Sequence, residues 1–95
     1  MAQALPYLVA AYFHEDFRDD YLTAVGSVRA FVEDEPPRLA AELRAAIAEL
    51  FSTERDEDKW RQLWIGLGGH NYEPGDDGMT YTQWFERIRG ILSEQ

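Results

Sequence analysis

The sequence predicts an all-α fold, a compact single-domain bundle of about five helices, and three observations carry that expectation. Apolar residues recur at three- and four-residue spacing along the chain, with no sustained alternation of the kind that marks a half-buried strand. Turn-forming residues break that pattern into segments of helical length. The chain has 95 residues, a size that supports one modest core. Its three Trp, five Phe and five Tyr supply large side chains to fill it. Neither an internal repeat nor a low-complexity segment interrupts the pattern, so residues 1–95 read as one domain.

The first stripe is Leu5, Leu8, Val9, Tyr12 and Phe13, on a helix expected to end near His14. Pro6 suits its first turn, where a missing N–H costs nothing. A second helix is expected from about Asp20 to Asp34, with Leu22, Val25, Val28, Phe31 and Val32 facing inward. Gly26 weakens it by about 1 kcal/mol relative to alanine. The stretch DEPPRLAAELRAAIAELF carries the clearest helix signature. Asp34 or Glu35 can receive the free N–H groups and Pro36 fits the first helical position. Leu39, Leu43, Ile47, Leu50 and Phe51 then follow one face. In STERDEDKWRQLWIGLGG, Thr53 followed by Asp56 resembles a capping arrangement. Trp60, Leu63, Trp64 and Leu67 form the inward face, and Gly68–Gly69 is the stop. Two reversals follow, at Pro74–Gly75 and Asp77–Gly78. The last helix opens on a capping box from Thr80 to Gln83 and buries Tyr81, Trp84, Phe85, Ile88, Ile91 and Leu92.

Eighteen acids against nine Lys and Arg give a formal charge of −9. Such a surface repels a phosphate backbone, which argues against direct nucleic-acid binding, and attracts a basic protein. Composition alone leaves that second meaning level with simple solubility. The absence of cysteine excludes disulfides and thiolate chemistry. No signal-like start and no long apolar run is present, so no membrane segment and a cytoplasmic location are expected.

Two stretches invite a chemical reading. In AYFHEDF, His14, Glu15 and Asp16 are neighbours, and adjacent helical positions point in different directions. The order also fails the two-histidine zincin spacing, which leaves His14 as a residue that favours the negative end of the first helix. In GGHNYEPGDDG, His70, Glu73, Asp76 and Asp77 could turn oxygens toward one point. Calcium takes roughly six to eight oxygens, and the EF-hand spacing is missing, so these read as solvated turn residues. Ser27, Ser52 and Ser93 lack the context of an activated serine, and the glycines near 68 lack a phosphate-loop lysine. No catalytic residue, metal site or cofactor is expected, and acid–base work by His14 with Glu15 or Asp16 would need a geometry that spacing does not supply.

Three stretches taken in order, YLVAAYFHEDF, AFVEDEPPRLAAELRAAIAEL and DGMTYTQWFERIRGIL with the acidic loop before it, cover most of the chain. In this ordered set the chain resembles the all-helical immunity proteins of bacterial contact-dependent growth inhibition systems. The matching positions include Tyr12, Phe13, His14, Asp16, Phe17, Asp34, Glu35, Pro36, Pro37, Asp77, Gly78, Thr80, Tyr81, Trp84 and Phe85. The resemblance implies a cytoplasmic inhibitor that binds a cognate toxin domain, often a nuclease, and blocks its active site or substrate access. A monomer bound to one toxin domain, with no catalysis of its own, is the simple expectation. Many of the matching aromatics also fit core stripes, so they describe a fold rather than a contact map.

A basic toxin surface would meet acids, and these fall in four clusters: Glu15, Asp16, Asp19 and Asp20; Glu33, Asp34 and Glu35; Asp56, Glu57 and Asp58; Glu73, Asp76 and Asp77. Acids at helix starts also cap helices, which accounts for Asp34, Glu35 and Asp56 without a partner. The toxin-binding candidates are therefore Glu15, Asp16, Phe17, Asp19, Asp20, Tyr21, Tyr72, Glu73, Asp76 and Asp77. Tyr72 stands outside every stripe and is either an exposed anchor or a satellite of the core tucked under its loop; Phe17 and Tyr21 face the same choice. The alternative function is an acidic helical adaptor or regulator that binds another basic protein.

Overall fold

The helical stripes converge on one core in the computed structural model, which describes residues 4–15 and 23–94. Among the described residues there are five α-helices: α1 (Ala4–Tyr12), α2 (Ala24–Asp34), α3 (Pro37–Phe51), α4 (Glu57–Gly66) and α5 (Tyr81–Ser93). Two 3-10 turns, Gly69–Asn71 and Pro74–Asp77, lie between α4 and α5, and no strand is present among the described residues. The all-α expectation holds.

The last helix is the hub. It packs against α2, α3, α4 and the second 3-10 turn, and buries Trp84, Phe85, Ile88, Ile91 and Leu92. Around it sit Leu5, Leu8, Val9, Tyr12 and Phe13 from the α1 end, Val28 and Phe31 from α2, Leu43 and Ile47 from α3, and Trp60 and Trp64 from α4. Val25, Val32, Leu39, Leu50, Phe51, Leu63 and Leu67 are only half-buried and pack on the edge of that core. Leu22, expected to face inward, lies outside the described residues. Phe51 is covered by Trp60, with ring centroids 4.8 Å apart, and by the Arg89 guanidinium at 4.1 Å.

Three helix starts differ from expectation. The second helix begins at Ala24, not near Asp20, because Thr23 is extended and its hydroxyl accepts the Gly26 N–H. Asp34 and Glu35 do not cap α3. Asp34 is the last residue of α2 and Glu35 its C-cap, so the Pro36–Pro37 pair has to make the turn. Pro36 is extended and Pro37, rather than Pro36, takes the first helical position. The Glu35 carboxylate instead accepts hydrogen bonds from the Tyr7 and Tyr12 hydroxyls, at 2.9 and 2.7 Å, and so ties α1 to the α2–α3 corner. At α4 the cap is Asp56 itself, which accepts the Lys59 N–H at 2.9 Å; Thr53 lies three residues too early. The Thr80–Gln83 box on α5 forms as the sequence indicated.

Gly68 ends α4 with φ +93°, a conformation that favours glycine. Gly69 follows it flat against the Trp64 indole, where an added Cβ would lie 2.4 Å from a ring carbon. Gly66 has open space around the same position. Gly69→Ala should therefore lower the unfolding free energy by about 2 kcal/mol, read from urea melts, while Gly66→Ala should leave it unchanged or slightly raise it.

Candidate functional site

The segment between α4 and α5 is anchored from within. The Trp64 indole N–H donates to the Tyr72 carbonyl at 3.0 Å. Tyr72 is only 2 % exposed. Its ring packs against Trp84 at 4.9 Å, Phe13 at 5.8 Å and Trp64 at 6.4 Å between centroids. Its hydroxyl donates to Asp77 at 2.8 Å. Of the two alternatives for Tyr72, the structure takes the core satellite. As an exposed contact residue it is corrected, because three aromatic rings close over a side chain that had no partner within its own helical stripe. Asn71 adds a second tie by donating to the Phe13 carbonyl at 3.2 Å, just past the end of α1.

Pinning Tyr72 leaves its neighbours outside. Pro74 is buried, while Glu73, Asp76 and Asp77 are exposed on the second 3-10 turn. That turn closes through Asp76 N–H to the Glu73 carbonyl at 3.0 Å and Met79 N–H to the Pro74 carbonyl at 3.0 Å. Gly78 completes it at φ +76°. One oxygen of Asp77 is thus engaged by Tyr72, and Glu73 and Asp76 are the acids this turn presents most openly.

The starts of α4 and α5 are joined by one carboxylate. Glu57 accepts the Tyr81 N–H at 2.7 Å, the Thr82 N–H at 2.9 Å and the Thr82 hydroxyl at 2.8 Å. Together with the Thr80–Gln83 box, it satisfies the first three N–H groups of α5. Partial burial raises the Glu57 pKa, but the bonds from Thr82 and Tyr81 outweigh it and hold the carboxyl below its ordinary range.

Tyr81 is half-buried where these parts meet. Its phenol is pushed up by burial first, then by the negative charges of Glu73, Glu57 and Asp76, against an opposing pull from Arg61. Glu57 of the third acidic cluster and Glu73 and Asp76 of the fourth thus all act on one phenol. Asp58 pairs with the Arg61 guanidinium at 2.8 Å and accepts the Gln62 amide at 2.8 Å through its other oxygen. The spacing of Glu57, Arg61 and Ile65 puts them on one flank of α4, and Ile65 is 43 % exposed. Sequence reasoning placed Tyr81 in the buried stripe, counted Glu57 only as a member of the third acidic cluster, and did not single out Ile65. Ile65 alone left a signal, an isoleucine off the Trp60–Trp64 face.

Glu15 is exposed beyond α1, next to a half-buried His14. Asp16, Phe17, Asp19, Asp20 and Tyr21 lie outside the described residues. Glu33 and Asp34 are exposed, whereas Glu35 is occupied by its tyrosines. His70 is exposed on the first 3-10 turn. Among the described residues no group of three or more His, Asp or Glu could hold a metal ion. A groove of about 390 Å³ between α1 and the end of α3 is lined by Leu5, Pro6, Leu50, Glu49 and Arg55, and contains no histidine. No helix among the described residues is long and apolar enough to cross a membrane.

A family model described as CdiI immunity protein matches residues 1–92. No curated protein and no solved structure matches the chain significantly.

Glu57→Gln should lower stability by about 1 kcal/mol at neutral pH, a loss of the size of a helix cap and modest because the group is solvent-screened. A carboxyl with a depressed folded pKa stabilises above its unfolded value and loses that contribution as pH falls through the folded one. The gap between wild type and Glu57→Gln, measured by denaturant melts, should thus be full above about pH 5 and shrink at more acidic pH. A gap that is the same at every pH would contradict the assigned role.

Proposed function

Because the chain belongs to the CdiI immunity protein family, we propose that it binds and neutralises a cognate contact-dependent growth inhibition toxin domain by covering that domain's active or substrate-binding surface. The match over residues 1–92 carries this reading. A nuclease is the favoured toxin, since a protein that grips phosphates needs a cationic surface and a chain of net charge −9 can occupy it in place of the substrate. Neutralisation then needs no chemistry from the inhibitor, which acts in the cytoplasm as a monomer bound to one toxin domain, without a cofactor.

Acid placement supports the charge argument. Glu57, Asp56 and Glu35 are engaged in caps and clamps, whereas Glu15, Glu73 and Asp76 are exposed. Of the toxin-binding candidates within the described residues, those three acids fit the proposal.

Co-expression with the toxin domain encoded beside this chain should restore growth and yield a stoichiometric complex. A folded chain that neither rescues growth nor binds the toxin would overturn the proposal. Glu73→Lys combined with Asp76→Lys should weaken the complex by about tenfold or more and flatten its salt dependence, as read by calorimetric titration at two ionic strengths.

A further inference from the structure

We propose that the toxin docks on one particular face, the flank of α4 carrying Glu57, Arg61 and Ile65 together with Tyr81, and that the toxin surface meeting it is rich in lysine and arginine. The inference rests on the immunity reading above and adds a location that the acidic loops alone do not specify.

Ile65 is the starting point. A helix that buries Trp60 and Trp64 has no structural use for a 43 % exposed isoleucine on its other side. The comparable exposed aromatic, Tyr7 at 41 %, has a structural role, since its hydroxyl serves the Glu35 clamp and its ring leans on Phe31 at 6.1 Å. One exposed apolar residue is ordinary on any protein surface. Its surroundings are what distinguish Ile65. It follows Glu57 and Arg61 at successive four-residue steps, and Glu57 binds the first two N–H groups of α5. Arg61 thus lies between Ile65 and Glu57 along α4, Glu57 accepts the Tyr81 N–H, and the half-buried Tyr81 phenol feels the Arg61 charge.

This is the composition of an interface centre. Aromatic and arginine anchors carry most of the binding energy when a polar rim excludes water around them. Asp58 holds Arg61 and Gln62 in place before any partner arrives, which reduces the ordering cost of association. Because the α5 N–H groups are already filled by Glu57 and Thr80, the helix start does not compete for an anion. The charge of the face selects the partner. Glu57, Glu73 and Asp76 act on the Tyr81 phenol against Arg61, whose charge Asp58 already pairs, so the face is net acidic and the complementary surface is cationic.

The test is calorimetric titration of the full chain with the purified, catalytically inactivated toxin domain encoded beside it. Ile65→Lys, which removes the apolar anchor and sets a like charge against a cationic surface, should weaken binding about a hundredfold, and Tyr81→Ala about tenfold or more. Tyr81→Phe, which keeps the packing ring, separates loss of the hydroxyl from any loss of fold, and circular dichroism melts check each variant. Glu33→Lys changes the net charge by the same amount as a reversal on the proposed face but lies on α2, and should change affinity less than about threefold. Wild-type binding with Ile65→Lys and Tyr81→Ala both unaffected would overturn the docking face while leaving the immunity function standing. Absence of any complex with the wild-type chain would overturn both.

Discussion

The hydrogen bond from the Trp64 indole to the Tyr72 carbonyl, buried among four aromatic rings, is the constraint on which the rest of this surface depends. A typical hydrogen bond contributes only about 1 kcal/mol net, but leaving a buried donor and carbonyl unpaired costs more than that. The segment from Gly68 to Thr80 therefore has one strongly favoured path. It must bring Tyr72 under Trp84 and Phe13, lay Gly69 on the Trp64 ring, and return to start α5 beside the start of α4. Glu73 and Asp76 have no core partner on that path and end up outside. An inward aromatic thereby determines where the outward acids stand.

The chain's excess of carboxylates divides by position. Asp56 caps its own helix, Glu57 caps a different one, and Glu35 gathers two tyrosines from α1. Each has hydrogen-bond donors that account for it within the fold. Glu15, Glu33, Asp34, Glu73 and Asp76 are exposed, and self-repulsion among such acids favours a cationic partner. Membership of the CdiI immunity family gives that partner a biological identity as a toxin domain, and the proposed face around Tyr81 and Ile65 gives it a place to bind. Long-range charge would speed encounter, while the apolar residues would slow release.

Much of the bundle was legible because helices announce themselves locally. The Trp60–Trp64 pair, the α5 stripe and the Thr80–Gln83 box all lie within four residues of their partners, so spacing alone locates them. What failed was non-local. Glu35 looked like a cap for the helix after it, because nothing nearby shows that Tyr7 and Tyr12, 28 and 23 residues earlier, will claim its carboxylate. Glu57 looked like an ordinary first-turn acid for the same reason, its donors being 24 and 25 residues later. Tyr72 lacked a stripe of its own and was open to both readings until Phe13 and Trp84 closed over it. Of the candidate site, the acids of the second loop were visible as a composition. Their assembly with the α4 flank was not, since it exists only once the two helix starts meet.

The central claim is that a toxin domain lands on the surface that Tyr72 holds in position. Its most direct test is a backbone amide NMR titration of the isotope-labelled chain with the unlabelled, inactivated toxin domain. Perturbations concentrated in residues 57–65 and 73–82 are what the account predicts. Perturbations confined to the outer surfaces of α2 and α3, with those two segments unmoved at saturation, would contradict it.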